Sequence, residues 1–453
     1  MAKVAGQSAG EVRWLRIEDK RLIAPFNERA FALSVMNKPL SLFQRDAVED
    51  VLGRGRFREG EAIAALHAAP RDSTPTLVHT DSLFFDTPYL KAFWEAASRR
   101  DRPCQAAFRA DDRAYYTYAV PLTRNLVRDR HRREGDIYRV PLWYFPRGVP
   151  ANWDGSQADP IVISSDFREV GYYSVPEYMS VELGDLVHLL PARSMLSIES
   201  WAHVYYANVI FGIFAIGGRF EKRANESWLF RLRIMLRAML EQTQMLSCSK
   251  LVHIGRGAHI DPSVVIQGPA YIGDNVTIEA GSVITNSILG NNTSLGQNCQ
   301  VFLSVVGEGC FLPFRASLFM SVLMENSIIA QNSCLQMSVV GRNSFIGAGN
   351  TFTDYLLIPK ELMTMGPDGA LEPTGQVVLG GCVGHNCRIG SGLVVYPARM
   401  IESDVILTAS PDRRVIMKNI SYEESDHHKM PKHIADRHPR LYDPSEDSLQ
   451  ESW

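Results

Sequence analysis

A chain of 453 residues, at about 150 residues per domain, holds two or three domains. Apolar residues make up 45% and charged residues 21%, a globular balance that excludes a wholly disordered or collagen-like chain. Lys and Arg number 47 and Asp and Glu 50, so the net charge of −3 supplies no overall basic field for nucleic acid or anionic lipid, and seven scattered Cys point to free thiols in a reducing, cytoplasmic setting.

Residues 1–10 are small and polar and are expected to be a disordered start. Together with the charged stretch Glu11 to Lys20 they lack the apolar core of an export signal. An α/β domain is expected over 11–220. Asn37-Lys38-Pro39-Leu40 leads into a helical stretch from Leu42 to Leu52. Thr76 to Asp81 reads as a buried strand ending in a polar residue. Pro88 to Arg100 reads as an amphipathic helix with Leu90, Phe93, Trp94 and Ala97 on one face. This alternation predicts a mixed, mainly parallel sheet with its site at the carboxyl ends of the strands. Asp81 stands at such an end, as a magnesium (Mg2+) ligand or as a turn cap.

Arg124 to Arg133 is a basic run, either a solvated loop or a phosphate contact. Val204 to Gly217 is the most apolar stretch. It falls short of the roughly 20 residues of a membrane span, and Asn208 interrupts it, so a buried helix is expected and no transmembrane segment. A helical linker follows over 221–250. From Glu226 to Leu246, Trp228, Leu229, Leu232, Leu236, Met239 and Leu240 alternate with Arg231, Arg233 and Arg237. That amphipathic pattern suits packing between two domains or, alternatively, a membrane surface.

From Ile254 the sequence repeats. Ile254, Ile260, Ile266, Ile272, Ile278 and Ile284 recur every six residues, and the spacing then becomes 5, 6, 6 through Phe352. Ser287-Ile288-Leu289, Ser304-Val305-Val306, Ser321-Val322-Leu323 and Ser338-Val339-Val340 mark successive 17-residue cycles. A period of six predicts a β-helix with three short strands per coil, one aliphatic residue pointing inward from each. Gly, Asn and Asp cluster between the strands, where sharp corners need left-handed backbone. The pattern pauses at 353–376, a turn-rich segment predicted to be an extruded loop, and resumes from Val377 to Ile401. The β-helix is therefore placed at 251–407, with a polar tail over 408–453. Cys299, Cys310, Cys334 and Cys387 occupy positions that small residues fill, as buried structural thiols. His253 and His259 are read as solvated. His385, in Val383-Gly384-His385-Asn386, sits at a corner expected to face solvent or a neighbouring subunit. There it serves either as a general base or as a surface turn residue.

These repeats resemble the left-handed β-helix of hexapeptide-repeat acyltransferases, and the left hand and a homotrimer follow from that resemblance. With the α/β domain in front, the chain resembles the sugar-1-phosphate nucleotidyltransferases that carry a C-terminal left-handed β-helix. The bifunctional N-acetylglucosamine-1-phosphate uridylyltransferase/glucosamine-1-phosphate acetyltransferases and their archaeal-type relatives are the types it looks like. The resemblance rests on Asn37 to Leu40, Leu77 to Leu83, Ser197 to Ile213 and Gly384 to Pro397. It implies a sugar phosphate or sugar nucleotide as ligand, acetyl-CoA as acyl donor, Asp81 as metal ligand, and Asp354, Tyr355, Lys360 and Ser391 as substrate-binding residues.

The departures bear on activity. Arg21 to Val35, at the place of the family's Gly-rich phosphate loop, contains no Gly. The nucleotidyl-transfer site is therefore expected to be degenerate. Gln331 and Cys334 stand where the family has its base and a Tyr, and Asp354 where it has Asn, which leaves His385 as the candidate base. Two functions follow. One is a transferase-family protein acting on or binding a sugar phosphate or sugar nucleotide. The other is a non-catalytic trimeric scaffold or regulatory paralogue.

Overall fold

The computed structural model describes residues 11–130, 135–150, 153, 157–173, 186–358 and 360–444. The expected disordered start, the last part of the tail and part of the basic run lie outside the described residues.

The N-terminal domain is built on a seven-stranded sheet. Its elements are β1 (Val12–Ile17), α1 (Leu40–Leu52), β2 (Phe57–Glu59), β3 (Thr76–Thr80), α2 (Thr87–Ala97), β4 (Cys104–Arg109), β5 (Val127–Asp129), β6 (Ile137–Phe145) and β7 (Asp159–Val162). The order is β7-β4-β6-β3-β1-β2, with β5 paired to β6. Only β6 runs against the others, so the sheet is mainly parallel, as the alternation predicts. Asp86 caps α2 by accepting from the Tyr89 amide at 2.9 Å. Leu90, Phe93 and Ala97 of α2 are buried in the core, as their spacing requires.

The apolar stretch after Ser200 is buried, but not as one regular helix. It forms α3 (Trp201–Asn208), a wide π turn over Val209–Phe214, and then α4 (Ala215–Glu226). Gly212 takes a non-helical conformation within the turn. A Cβ there would lie 2.7 Å from both the Ala207 carbonyl oxygen and the Met36 sulfur, so only glycine allows the close approach.

The C-terminal domain is a prism of three parallel sheets, each of eight strands, consistent with a left-handed β-helix. Successive coils pair in register, Leu289 on Val306 and Leu323 on Val340 along one sheet. The inward ladder from Ile284 to Phe352 is buried throughout. Ile254 is half exposed because it lies on the terminal coil. The serine of each tripeptide has a definite role. Ser287, Ser304 and Ser321 are buried, and each Oγ accepts from the backbone amide of the next serine, at 3.1, 2.9 and 3.2 Å. A buried amide between coils is thereby satisfied at every turn. Asn275, Asn292, Asn326, Asn343 and Asn386 take the left-handed corners. Cys299, Cys310 and Cys387 are buried at small-residue positions, whereas Cys334 lies one residue further on and is half-buried.

Three boundaries shift. Residues 353–376 are not a free loop. They carry an antiparallel hairpin, Met363–Met365 with Leu371–Pro373, laid on the N-terminal domain. There Trp201 donates to Thr364 Oγ1 at 2.8 Å. The prism continues past 407, because Val415–Ile416 pairs with Val394–Val395 and buries Ile416 and Ile420. The tail, as far as residue 444, folds back on its own chain: the Leu441 and Tyr442 amides donate to Asp404 at 2.8 and 2.7 Å.

The amphipathic segment forms α5 (Trp228–Glu241). It is not wedged between the two domains. Ile234 and Ala238 pack with Cys248 and Leu251 at the start of the prism, and the opposite face is exposed. The interdomain contact lies elsewhere. Val322, Met324, Val339, Cys382 and Met400 of the β-helix share one core with α1, α2 and α3 of the N-terminal domain, so one face of the prism is covered by the chain itself.

Candidate functional site

The strand ends of β1 and β3 bring a cluster of charged side chains together. Asp81 follows β3 and is buried. Its Oδ1 accepts from the Asp19 amide at 2.9 Å, and its Oδ2 lies 3.8 Å from Arg29 Nη2. Burial pushes its pKa up to about 6, against the opposing pull of that hydrogen bond and of Arg29. Arg29 lies over the Phe31 ring, and its Nη2 is buried with no hydrogen-bond partner.

Beside them, Arg21 donates to both Asp19 oxygens, to Glu199 and, at 2.6 Å, to Asn125 Oδ1. Burial alone would raise the Asp19 pKa, but the hydrogen bonds and charge of Arg21 outweigh it and hold the carboxyl below its usual range. Burial likewise works against the Arg21 cation, and Asp19 and Glu199 more than offset it. Asn125 Nδ2 reaches Ser197 Oγ at 2.9 Å, and Ser82 Oγ donates to Asp19 at 2.9 Å. Glu199 accepts from the amides of Arg124 and Asn125 at 2.7 and 3.1 Å. The extruded hairpin closes over this edge, where Arg124 pairs with Asp368 and Glu372 at 2.8 and 2.6 Å.

Such a cluster can offer Arg29, flanked by Glu18 at 3.9 Å and Asp81 at 3.8 Å, to a polar group, and can exchange a proton at Asp81 near pH 6. It offers no run of glycine amides to wrap a triphosphate. Asp81 as a magnesium ligand is not supported: an arginine and a backbone amide occupy its surroundings. Among the described residues no group of three or more His, Cys, Asp or Glu is placed to hold a metal ion.

The sequence singled out Asp81 but missed Asp19, Arg21, Arg29, Asn125 and Glu199. Arg21 and Arg29 lie within the stretch noted for lacking glycine. Their charge was legible there, and their convergence on Asp81 was not.

The β-helix residues do not converge. His385 lies at the corner between Cys382–Val383 and Arg388–Ile389. Ser391 lies at the next corner, exposed, its Oγ accepting from the Ala348 amide at 3.1 Å. Asp354 and Tyr355 leave the third corner after Thr351–Phe352. Tyr355 packs against the interdomain core, and Lys360 is exposed on the extruded segment. One prism thus carries these residues on three different edges.

His385 must be corrected outright. It does not face solvent but is fully buried beneath the N-terminal domain. Its Nδ1 accepts from the Arg342 amide at 2.9 Å, its Nε2 faces Glu28 across 3.3 Å, and Phe26 and Tyr442 lie against its ring. Burial, and then the charge of Arg342, push its pKa down. A base sealed in this way reaches no substrate. His253 and His259 are exposed, as expected.

Residues 252–286 match the family described as bacterial transferase hexapeptide (six repeats). This segment, at the start of the C-terminal domain, carries the hexapeptide repeat of that family. No curated protein matches the chain. Among solved structures, the UDP-N-acetylglucosamine acyltransferase from Campylobacter jejuni is similar, at 13% identity and a TM-score of 0.26, over 42% of this chain and 77% of that one. A hexapeptide transferase family protein from Anaplasma phagocytophilum is 16% identical with a TM-score of 0.19, over 39% and 88%. No helix among the described residues is long and apolar enough to cross a membrane.

Proposed function

We propose that this hexapeptide-repeat protein binds a sugar phosphate or sugar nucleotide at the carboxyl edge of its N-terminal sheet and does not transfer a nucleotidyl group there. One observation carries the reading: the buried Nη2 of Arg29 makes no hydrogen bond and has only the longer contacts to Glu18 at 3.9 Å and Asp81 at 3.8 Å, with the Asp81 carboxyl pushed up to about 6. A buried guanidinium nitrogen without an acceptor is costly, and a phosphate or sugar hydroxyl would supply one. Arg21 to Val35 contains no glycine whose backbone could wrap a triphosphate, which argues against nucleotidyl transfer.

The test is a thermal shift of the full chain against UDP-N-acetylglucosamine and N-acetylglucosamine-1-phosphate. A ligand that binds the native state raises Tm by mass action. Arg29→Ala is expected to abolish the shift and Asp81→Asn to weaken binding about tenfold, worth about 1.4 kcal/mol. Tyr355→Phe with Lys360→Ala is expected to weaken sugar-phosphate binding only if the hexapeptide domain also contributes a subsite between protomers, where an acyl donor such as acetyl-CoA would enter. No shift with either ligand sinks the proposal.

The scaffold reading has its own support. Arg21 is already neutralised by two carboxylates, and His385 is sealed inside. Assembly without turnover would leave both arrangements as they are.

A further inference from the structure

We propose that the exposed face of α5 docks the protein on an anionic membrane surface. The helix has two apolar faces. Ile234 and Ala238 are buried against the start of the β-helix. On the other side Trp228, Leu229, Met235, Leu236, Met239 and Leu240 are exposed, Leu240 at 80% and Met239 at 70%. At about 100° per residue these side chains share one arc roughly 140° wide. Met245 and Leu246, just beyond the helix, are exposed too. An apolar face of this size, left in water, marks a contact surface.

The charges say which contact. Arg231 borders one edge of the arc, and Arg233 and Arg237 border the other. The single acid of the helix, Glu241, is paired to Arg237 at 2.5 Å. Residues 219–250 hold seven Lys and Arg against three Glu, in a chain whose net charge is −3. Basic charge is thus gathered on one segment of an acidic protein. An interfacial helix has this design: Trp, Leu and Met enter the acyl boundary while arginines reach out to anionic headgroups. A second copy of the same face fits less well, because two-fold self-docking sets arginine edge against arginine edge. The contact is with the surface alone, since no described helix can span.

The full chain is tested by flotation with phosphatidylcholine vesicles, with and without phosphatidylglycerol. It is expected to float with the anionic vesicles and to be released by salt. Arg231→Gln and Arg233→Gln should each weaken partition roughly fivefold. Leu236→Glu with Leu240→Glu should abolish flotation while leaving Tm in place, since both side chains are exposed. Three results overturn the proposal: equal flotation of the double-Glu variant, no preference for anionic vesicles, or no flotation by a wild-type chain whose assembly is broken by the same variant. The last result would assign the face to a second copy.

Discussion

At the scale of single residues, the decisive group is Glu28, Glu325 and Arg342, all partly buried, around the fully buried His385. Arg342 donates to Glu28 at 2.6 Å and lies 3.6 Å from Glu325, which also accepts from Ser34. These contacts join the β-helix to the N-terminal domain across more than 290 residues of sequence. Burial would raise the Glu28 pKa, but His385 and Arg342 together hold it below the usual range. His385 is a neutral imidazole. Its Nδ1 is an acceptor, so its proton sits on Nε2, toward Glu28. Its folded pKa lies below the unfolded value of 6.5. A neutral buried ring therefore stabilises the fold above pH 6.5, and this contribution is lost as the pH falls through and below that value. We expect Tm to decline from pH 7 to pH 5 and the decline to be shallower in His385→Gln; identical profiles would exclude His385 as a contributor. Removing the cation acts more strongly. Arg342→Ala removes the cation shared by two partly buried carboxylates, leaving Glu28 only His385 and Glu325 only Ser34, and should cost about 3 kcal/mol in urea unfolding.

At the scale of elements, a corner of the prism departs from the rule its neighbours follow. Asparagine or glycine takes the left-handed position at most corners, yet Leu303, Met320 and Met337 take it along one edge, with φ of 45, 47 and 46°. Such backbone costs a non-glycine residue about 1–2 kcal/mol. All three side chains are buried in the core shared with the N-terminal domain, and burying a Met or Leu returns about 1.5–3 kcal/mol. Docking outweighs strain. Met320→Asn, which eases the backbone and removes the contact, should therefore destabilise by roughly 1 kcal/mol in denaturant unfolding; a stabilised variant would contradict this account. The same edge shows what the sequence made legible. The six-residue period and the Ser-led tripeptides are local, repeated requirements of every coil, so they appear in the sequence as a rhythm. In the sequence Met320 is only an apolar residue between strands, because its reason lies in the core shared with the N-terminal domain, far away in the chain. The candidate site divides in the same way. Asp81 is legible as the end of a buried strand, whereas Arg29, Asn125 and Glu199 meet it only through tertiary folding. His385 misled because a corner residue is solvated only where nothing covers the corner.

At the scale of the molecule, the covered face restricts assembly. A prism has three sheets, and along the later coils of the first the outward residues Val322, Val339, Cys382 and Met400 are buried under the chain's own N-terminal domain, while His253 and Tyr271 on its first coils stay exposed. A symmetric trimer must then use the other two. On the second sheet Phe311, Ile328 and Phe345 stand in register on neighbouring coils and point outward, with Phe311 and Phe345 exposed. Paired strands set Phe311 against Ile328 and Ile328 against Phe345, forming an apolar stripe along the prism axis. A closed ring of three would bury that stripe against a different face of the next copy, as heterologous contacts do. It could also bring residues on separate edges, Ser391 of one copy and the Tyr355 to Lys360 segment of the next, into one site. Light scattering is expected to give a trimer for the wild-type chain and a monomer for Phe311→Asp with Phe345→Asp. Both side chains are surface groups of the single chain, so the monomer should keep its circular dichroism and its Arg29-dependent ligand shift. If the variant stays trimeric, the stripe is not the interface, and a shared site between prisms must be sought on the third sheet.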